Sequence, residues 1–320
     1  MPTTIGVFSA SAPISVTVPT RYLRGKNYLE SKGFRVIDGS LYGKGDTYRS
    51  GSIRERADEF NALLRDPEVD ILMSSIGGNN TNSILPYIDY GHLRAHPKPI
   101  VGFSDTTALL LGIYAKTSVT TYYGPALAVS FGEFRPYADM TFESFRQIVL
   151  ESPAAPYTYA VPPFWSEEFI DWSAQDRPPT PRQNKWLCIN PGVARGRIIG
   201  GNLNTMEGIF GTEYMPAILP GDILFLEDGE KNPSIIERSF SLLKLAGVFD
   251  RIGGLILGKH NRFNALHTGR TPEDILLEVI GAPAFPILAG FDCCHTQPML
   301  TLPIGRTVEM NALAGRVTLM

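Results

Sequence analysis

Cysteine is scarce in this chain: three in 320 residues, Cys188, Cys293 and Cys294, the last two adjacent. They cannot all pair, and that usage suits a reducing compartment rather than a disulfide framework. An excess of one charge is also missing. Lys and Arg number 29 against 32 Asp and Glu, a net charge of -3, with no basic run. This excludes nucleic acid as the main partner, because phosphate-backbone binding needs a clustered positive surface. No apolar stretch reaches the roughly 18 residues of a spanning helix. The opening MPTTIGVFSASAPISV carries neither the charged nor the apolar part of a secretory leader. The expectation is a cytoplasmic protein with no membrane partner.

Signatures of bound groups are wanting too. There is no C-x-x-C spacing, and Cys293-Cys294 are too close for ordinary tetrahedral chelation by both. No G-x-x-x-x-G-K-[ST] loop and no G-x-G-x-x-G after a strand occurs. No metal and no cofactor is expected. What the chain does have is 43% apolar residues and 10% aromatics, which excludes a disordered or fibrous protein. Its length suits roughly two domains of about 150 residues.

Short apolar runs alternate with helical patterns. Thr4–Phe8, Phe34–Ile37, Asp70–Met73 and Pro99–Phe103 read as strands. Behind Ser52, a suitable N-cap, Ile53, Ala57, Phe60 and Leu64 recur at helical steps, and Thr106–Tyr114 is helical as well. Such alternation implies a parallel sheet covered on both faces, with ligands at the carboxyl ends of its strands. Residues 151–187 differ: seven prolines and all three tryptophans, Trp165, Trp172 and Trp186, sit there with little periodicity. They read as a connecting segment whose tryptophans either serve the ligand or pin the segment. The alternation then resumes, with Asp222–Leu226 and Gly253–Leu257 as strands and helices opening at Asn232-Pro233 and Thr271-Pro272. The expected division is 1–150, an N-terminal α/β domain; 151–187, a connecting loop; and 188–320, a smaller mixed α/β domain.

At Gly102-Phe103-Ser104-Asp105 a strand meets a helix with one serine at the corner. A nucleophile there would be exposed at the sheet edge beside backbone N–H groups able to hold an oxyanion. A helix cap is the competing reading, since serine is a favoured N-cap. The usual elbow has a second glycine two residues on, and this chain has Thr106. A serine nucleophile needs a histidine and an orienting carboxylate. His295 lies in a turn between apolar segments, which suits a structural as well as a catalytic role, whereas His92 and His96 read as solvated. Glu227, Asp228 and Glu230 stand together at a strand end, and spacing does not choose among them. Gly77-Gly78 and Gly200-Gly201 read by default as tight turns, although Gly78 follows a strand and its N–H could approach a reacting carbonyl.

Five stretches, in order along nearly the whole chain, resemble the LD-carboxypeptidases: Ser74–Tyr90, Gly102–Leu110, Gly200–Asn204, Leu226–Asp228 and Cys294–Leu300. The Ile76–Asn82 stretch and the aromatic Phe164–Trp172 segment look like the branch of that family concerned with microcin immunity. The resemblance implies a flavodoxin-like or glutamine-amidotransferase-like N-terminal sheet and a mixed second domain. It implies Ser104 as nucleophile, His295 as base, Glu227 as orienting carboxylate, and the N–H groups of Gly78 and Asp105 as oxyanion hole. It further implies that Asn204 and Lys231 hold polar groups of the substrate and that Trp172 stacks on a nucleobase. The expected partner is thus a small peptide or aminoacyl-nucleotide-like substrate, and a homodimer is a possible assembly. A murein tetrapeptide carboxypeptidase is the alternative within the family, and a non-catalytic small-molecule binding protein the alternative of another class.

Overall fold

The computed structural model describes residues 2–151 and 156–320. Residues 152–155, near the start of the expected connecting segment, lie outside the described residues. Five strands, β1 (Thr4–Phe8), β2 (Arg35–Asp38), β3 (Ile71–Ser74), β4 (Ile100–Gly102) and β5 (Thr121–Tyr123), run parallel in the order 2-1-3-4-5. This is the doubly wound order of a flavodoxin-like sheet. Strands β1, β3 and β4 are buried along their whole length, as unbroken apolar strands covered on both faces must be.

The following segment adds β6 (Tyr157–Thr158), β7 (Phe164–Trp165) and β8 (Arg182–Gln183), of which β7 and β8 form a small antiparallel clip. The rest of the chain supplies β9 (Leu187–Asn190), β10 (Val193–Asn202), β11 (Ile223–Glu227), β12 (Gly254–Gly258), β13 (Ile287–Phe291), β14 (Leu302–Ile304), β15 (Thr307–Asn311) and β16 (Arg316–Leu319). A second sheet has the order β6-β16-β15-β10-β11-β12-β13-β9, parallel from β10 to β13 and antiparallel at both ends. Sheet membership does not follow chain order. Strand β14 returns to the first sheet and pairs antiparallel with β5. One continuous apolar core joins the sheets, running from Phe8 and Leu110 through Tyr123 to Ile199, Phe225 and Leu302.

Local chemistry explains the helix starts. Ser52 and Glu55 close a capping box on helix Ile53–Arg65, and Thr271 and Asp274 do the same on Pro272–Ile280. Asn232 caps Pro233–Leu245, whose first position is the proline that tolerates having no N–H. One expectation is overturned: Gly200 and Gly201 make no turn but lie inside β10, at φ 138° and 157°. A β-carbon on Gly201 would stand 2.6 Å from Thr107 Cγ2 and 3.0 Å from Tyr123 Cε2. Gly201 is glycine because β10 passes hard against the first sheet there, and Gly200 because a β-carbon would run into the Phe225 backbone of the neighbouring β11. Among the described residues no helix is long and apolar enough to cross a membrane.

Candidate active site

Strand β4 stops at Gly102, where a β-carbon would meet Thr106 Cγ2 at 2.8 Å and Ser74 Cβ at 2.9 Å. Phe103 is extended, and Ser104 then takes φ 59°, the left-handed region that costs a residue with a β-carbon about 1–2 kcal/mol. Such strain persists only where the surroundings over-determine it, which marks candidate functional positions. Helix Thr107–Thr117 follows without a side-chain cap, so the capping role does not hold for Ser104. Its Oγ lies 3.0 Å from His295 Nε2 instead. Thr106, where the usual elbow has glycine, donates its hydroxyl to Ser74 Oγ at 3.0 Å and packs the helix start onto the end of β3.

His295 stands four residues beyond the end of β13. Buried Asp292 holds that turn by accepting hydrogen bonds from Asn184 Nδ2 at 2.9 Å, Trp186 Nε1 at 2.8 Å and Lys259 Nζ. Glu227, the last residue of β11, is wholly buried. Its Oε2 accepts from His295 Nδ1 at 2.6 Å and from the His295 backbone N–H at 3.2 Å. Its Oε1 accepts from the Tyr123 hydroxyl at 2.6 Å and from Asn202 Nδ2 at 3.0 Å. Burial works against a charge on Glu227, but the adjacent imidazole and these donors outweigh it and hold the carboxyl below its ordinary range. Burial likewise disfavours a charged His295, yet the Glu227 carboxylate prevails and raises the imidazole above 6.5. Both directions describe one preference, for the imidazolium–carboxylate pair.

The neighbouring acids do other work. Asp228 accepts from Gly229 N, Asn202 Nδ2 and Asn204 N, with Lys231 Nζ at 3.6 Å, and burial raises its pKa. Glu230 pairs with Arg262 at 2.7 Å. His92 and His96 lie four apart with their rings 4.8 Å from each other, and among the described residues no group of three His, Cys, Asp or Glu could hold a metal.

The loop after β3 lies directly over Ser104. A β-carbon on Gly77 would be 2.7 Å from Ser104 Cβ and 3.1 Å from Asp105 N. Gly78 sits at φ 152°. Asp105 ties this loop down: its Oδ2 accepts from Asn80 N at 2.8 Å, Thr81 N at 2.9 Å and Thr81 Oγ1 at 2.8 Å. From behind, buried Arg56 donates to Asn80 Oδ1 at 2.9 Å, and Ser11 Oγ donates to the same oxygen at 2.8 Å. Gly77 thus sits against Ser104 and the Asp105 N–H, and the next residue, Gly78, packs on Ser11.

Ser104 and His295 open into a cleft of about 340 Å³ between the sheets, also lined by Gly78, Trp172, Asn204 and Lys231. An adjoining hollow of about 230 Å³ shares Trp172 and His295 and continues along Glu167, Phe169 and Arg262. Trp172 lines both, with the Arg21 guanidinium 4.3 Å over its ring. Arg21 is itself buried and paired with Glu133 at 2.9 Å. Trp186, by contrast, is a pin, since its ring packs on Phe291 at 4.7 Å beneath the Asp292 bond. The pinning reading thus holds for Trp186, while Trp172 lines the cleft. A larger depression of about 750 Å³ lies around Thr4, Arg35, Asp70 and Pro99. It is at the amino ends of the strands, away from the side where parallel sheets bind ligands.

Residues 5–124 match the model of the LD-carboxypeptidase N-terminal domain, and residues 195–310 that of the LD-carboxypeptidase C-terminal domain. The chain belongs to the LD-carboxypeptidase family. As a member it is a serine-type carboxypeptidase. It is 52% identical to the microcin C7 self-immunity protein of Escherichia coli over 304 residues, 94% of this chain and 88% of that protein. It is 53% identical to a putative carboxypeptidase of Vibrio cholerae over 301 residues, 94% and 90% of the two chains. The solved structure of the microcin C7 self-immunity protein with aspartyl sulfamoyl adenosine superposes with a TM-score of 0.98 at 48% identity, covering 100% of this chain and 96% of that one. Two variants of that protein superpose alike. One, with an active-site serine, asparagine and lysine replaced by alanine, gives TM-score 0.98, 47% identity and coverage of 100% and 96%. The other, with a tryptophan changed to phenylalanine and adenosine monophosphate bound, gives 0.97, 48%, 99% and 96%.

Tyr123, Asn202 and Thr107, which the sequence did not mark, join the site from behind. The signal that pointed toward them was weak: Tyr123 closes a short strand, and Asn202 follows the glycine pair of a family stretch.

Proposed function

We propose that this carboxypeptidase hydrolyses the amide joining an aminoacyl group to a nucleotide-like leaving group, with Ser104 as nucleophile. The observation that carries the reading is the 3.0 Å approach of Ser104 Oγ to His295 Nε2 at a left-handed strand–helix corner. His295 Nδ1 donates to Glu227, so its tautomer leaves Nε2 free to take the hydroxyl proton. Ser104 Oγ bonds to the carbonyl carbon, and the developing oxyanion is met by the N–H groups of Gly78 and Asp105. The amide C–N bond breaks as the imidazolium returns the proton to the leaving nitrogen. Water then attacks the ester, His295 accepts its proton, and that proton goes back to Ser104 as the acid departs.

Asn204 and Lys231 are set to meet the substrate's polar groups, and Trp172 to stack on the base. Support comes from their common cleft and from the asparagine, lysine and tryptophan chosen for replacement in the similar protein, which binds aminoacyl sulfamoyl nucleosides. Trp172 carries a guanidinium on one face, which leaves a rigid aromatic surface for a flat ligand.

Incubation with aspartyl sulfamoyl adenosine tests the proposal. Release of aspartate and sulfamoyl adenosine is expected, and Ser104→Ala abolishes it. Cleavage of an L,D-linked murein tetrapeptide alone would overturn the substrate class in favour of cell-wall recycling. Ligand binding by both Ser104→Ala and the unaltered protein, with no turnover of either substrate, would overturn the catalytic reading.

A further inference from the structure

Side chains hold the backbone of Ser104 at both its N–H and its C=O, the carbonyl also taking the Thr107 backbone N–H at the helix start. The Ser104 N–H donates to the Tyr123 hydroxyl at 3.2 Å, and its C=O accepts from Thr107 Oγ1 at 2.6 Å. The phenol has one proton, which goes to Glu227 Oε1 at 2.6 Å. The same carboxylate oxygen accepts from Asn202 Nδ2 at 3.0 Å, and the Asn202 backbone N–H donates to Thr107 Oγ1 at 3.1 Å. The path therefore closes: Ser104 to Tyr123, to Glu227, to Asn202, to Thr107, and back to Ser104. Each proton in it has one possible place, because N–H groups only donate and a carboxylate only accepts. Tyr123, Ser104 and Thr107 belong to the first sheet and its helix, and Glu227 and Asn202 end strands of the second. Gly201 is what lets β10 come close enough to Tyr123 and Thr107 for closure.

We propose that Tyr123 is a positioning residue, whose hydroxyl locks the nucleophile's strained corner to the orienting carboxylate across the two sheets. It is wholly buried behind the cleft wall and reaches the reaction only through Ser104 and Glu227. Two consequences follow. Without the hydroxyl, the Ser104 N–H is unpaired and the left-handed corner loses a restraint. Glu227 also loses a donor, its negative charge falls more fully on His295, and the imidazolium gains stability. The titratable groups around the Glu227–His295 pair are Asp228, Tyr123, Lys231, His260, Cys293 and Cys294. Removing the phenol changes only one of them.

This inference rests on the catalytic reading of Ser104, His295 and Glu227. The test is a comparison of Tyr123→Phe with Tyr159→Phe. Tyr159 is a second buried tyrosine, whose hydroxyl donates to Thr301 O at 2.9 Å away from the ring. With aspartyl sulfamoyl adenosine, Tyr123→Phe is expected to lower kcat about ten- to a hundredfold, the scale of a lost hydrogen bond to a charged group. The acid limb of its kcat/KM profile is expected to move to higher pH. Tyr159→Phe leaves the limb where it is. Should Tyr123→Phe fail to fold, the ring is opened from its other side: Thr107→Val lowers kcat, and Thr107→Ser, which keeps the hydroxyl, restores it. A folded Tyr123→Phe with unchanged kcat and acid limb, or equal activity of the two Thr107 variants, overturns the ring. Activity surviving in Ser104→Ala would instead overturn the reading beneath it.

Discussion

Replacing Glu227 by glutamine changes one oxygen for an NH₂ group and almost no volume, yet the site has no place for the new donor. All four groups around the carboxylate donate: His295 Nδ1 and N on one oxygen, the Tyr123 hydroxyl and Asn202 Nδ2 on the other. With its nitrogen toward Tyr123 and Asn202, the amide faces the Asn202 N–H, which cannot accept, and a phenol whose oxygen already accepts from the Ser104 N–H and whose own proton would lose its acceptor. With its nitrogen toward His295, it faces one backbone N–H and an imidazole able to change tautomer. The second orientation costs less, and it puts the imidazole proton on Nε2, against Ser104 Oγ, where a base needs a lone pair. In serine hydrolases that wrong tautomer costs about 10⁴ in turnover, or about 5.4 kcal/mol at 1.36 kcal/mol per factor of ten. KM should stay within a few-fold, because Glu227 is wholly buried. The pH profile gives an independent sign. His295 is held above 6.5 by the Glu227 charge, and it must be neutral to act, so in the unaltered protein kcat/KM falls as pH drops through that raised value. Glu227→Gln removes the charge and moves the acid limb down, opposite to Tyr123→Phe. The assay is kcat and KM on aspartyl sulfamoyl adenosine from pH 5 to 9. A Glu227→Gln variant within tenfold of the unaltered protein would refute the reasoning.

Asp228→Ala should cost far less turnover than Glu227→Ala, since Asp228 bonds to Gly229, Asn202 and Asn204 and not to the imidazole; equal losses in the same assay would reassign the orienting carboxylate. Asp105→Ala deletes the acceptor of three hydrogen bonds from Asn80 and Thr81. It should lower stability in urea by about 3 kcal/mol and kcat by about 10²–10³, the cost of one misplaced oxyanion donor; unchanged kcat would remove the loop from the mechanism. Trp172→Ala should raise KM for a nucleoside-bearing substrate about ten- to a hundredfold, because stacking on one base contributes about 1–3 kcal/mol. The same KM increase on an acyl sulfamide lacking the base would show that stacking is not what Trp172 supplies.

Some of this architecture is legible in residue patterns. Thr4–Phe8 is an apolar run ended by turn residues, and it forms β1 with those bounds. Ser52, Asn232 and Thr271 cap the helices their positions suggest. Strand β5 is three residues long, too short for a periodic signal, and Gly290 at φ 75° disguises β13. The glycine pair at 200–201 reads as a turn because nothing local reveals that the Phe225 backbone crowds Gly200 and the other sheet lies against Gly201. The site divides in the same way. Ser104 stands at a strand–helix corner where the local pattern left both a cap and a nucleophile open, and the family resemblance pointed to it together with His295 and Glu227. Spacing could not separate Glu227 from Asp228, because neighbours at a strand end point to opposite sides, and only the register of β11 against β10 decides which one meets the imidazole. Tyr123 and Asn202 gain their roles from contact between two sheets, a relation with no trace in linear spacing.

The central claim is that Ser104 Oγ bonds covalently to the substrate's acyl carbon. Intact-protein mass spectrometry after rapid acid quenching with aspartyl sulfamoyl adenosine, followed by peptide mapping, tests it most directly. The account predicts an added aspartyl mass on the peptide bearing Ser104, absent from Ser104→Ala. An aspartyl adduct on another residue, or full turnover by Ser104→Ala, would contradict it.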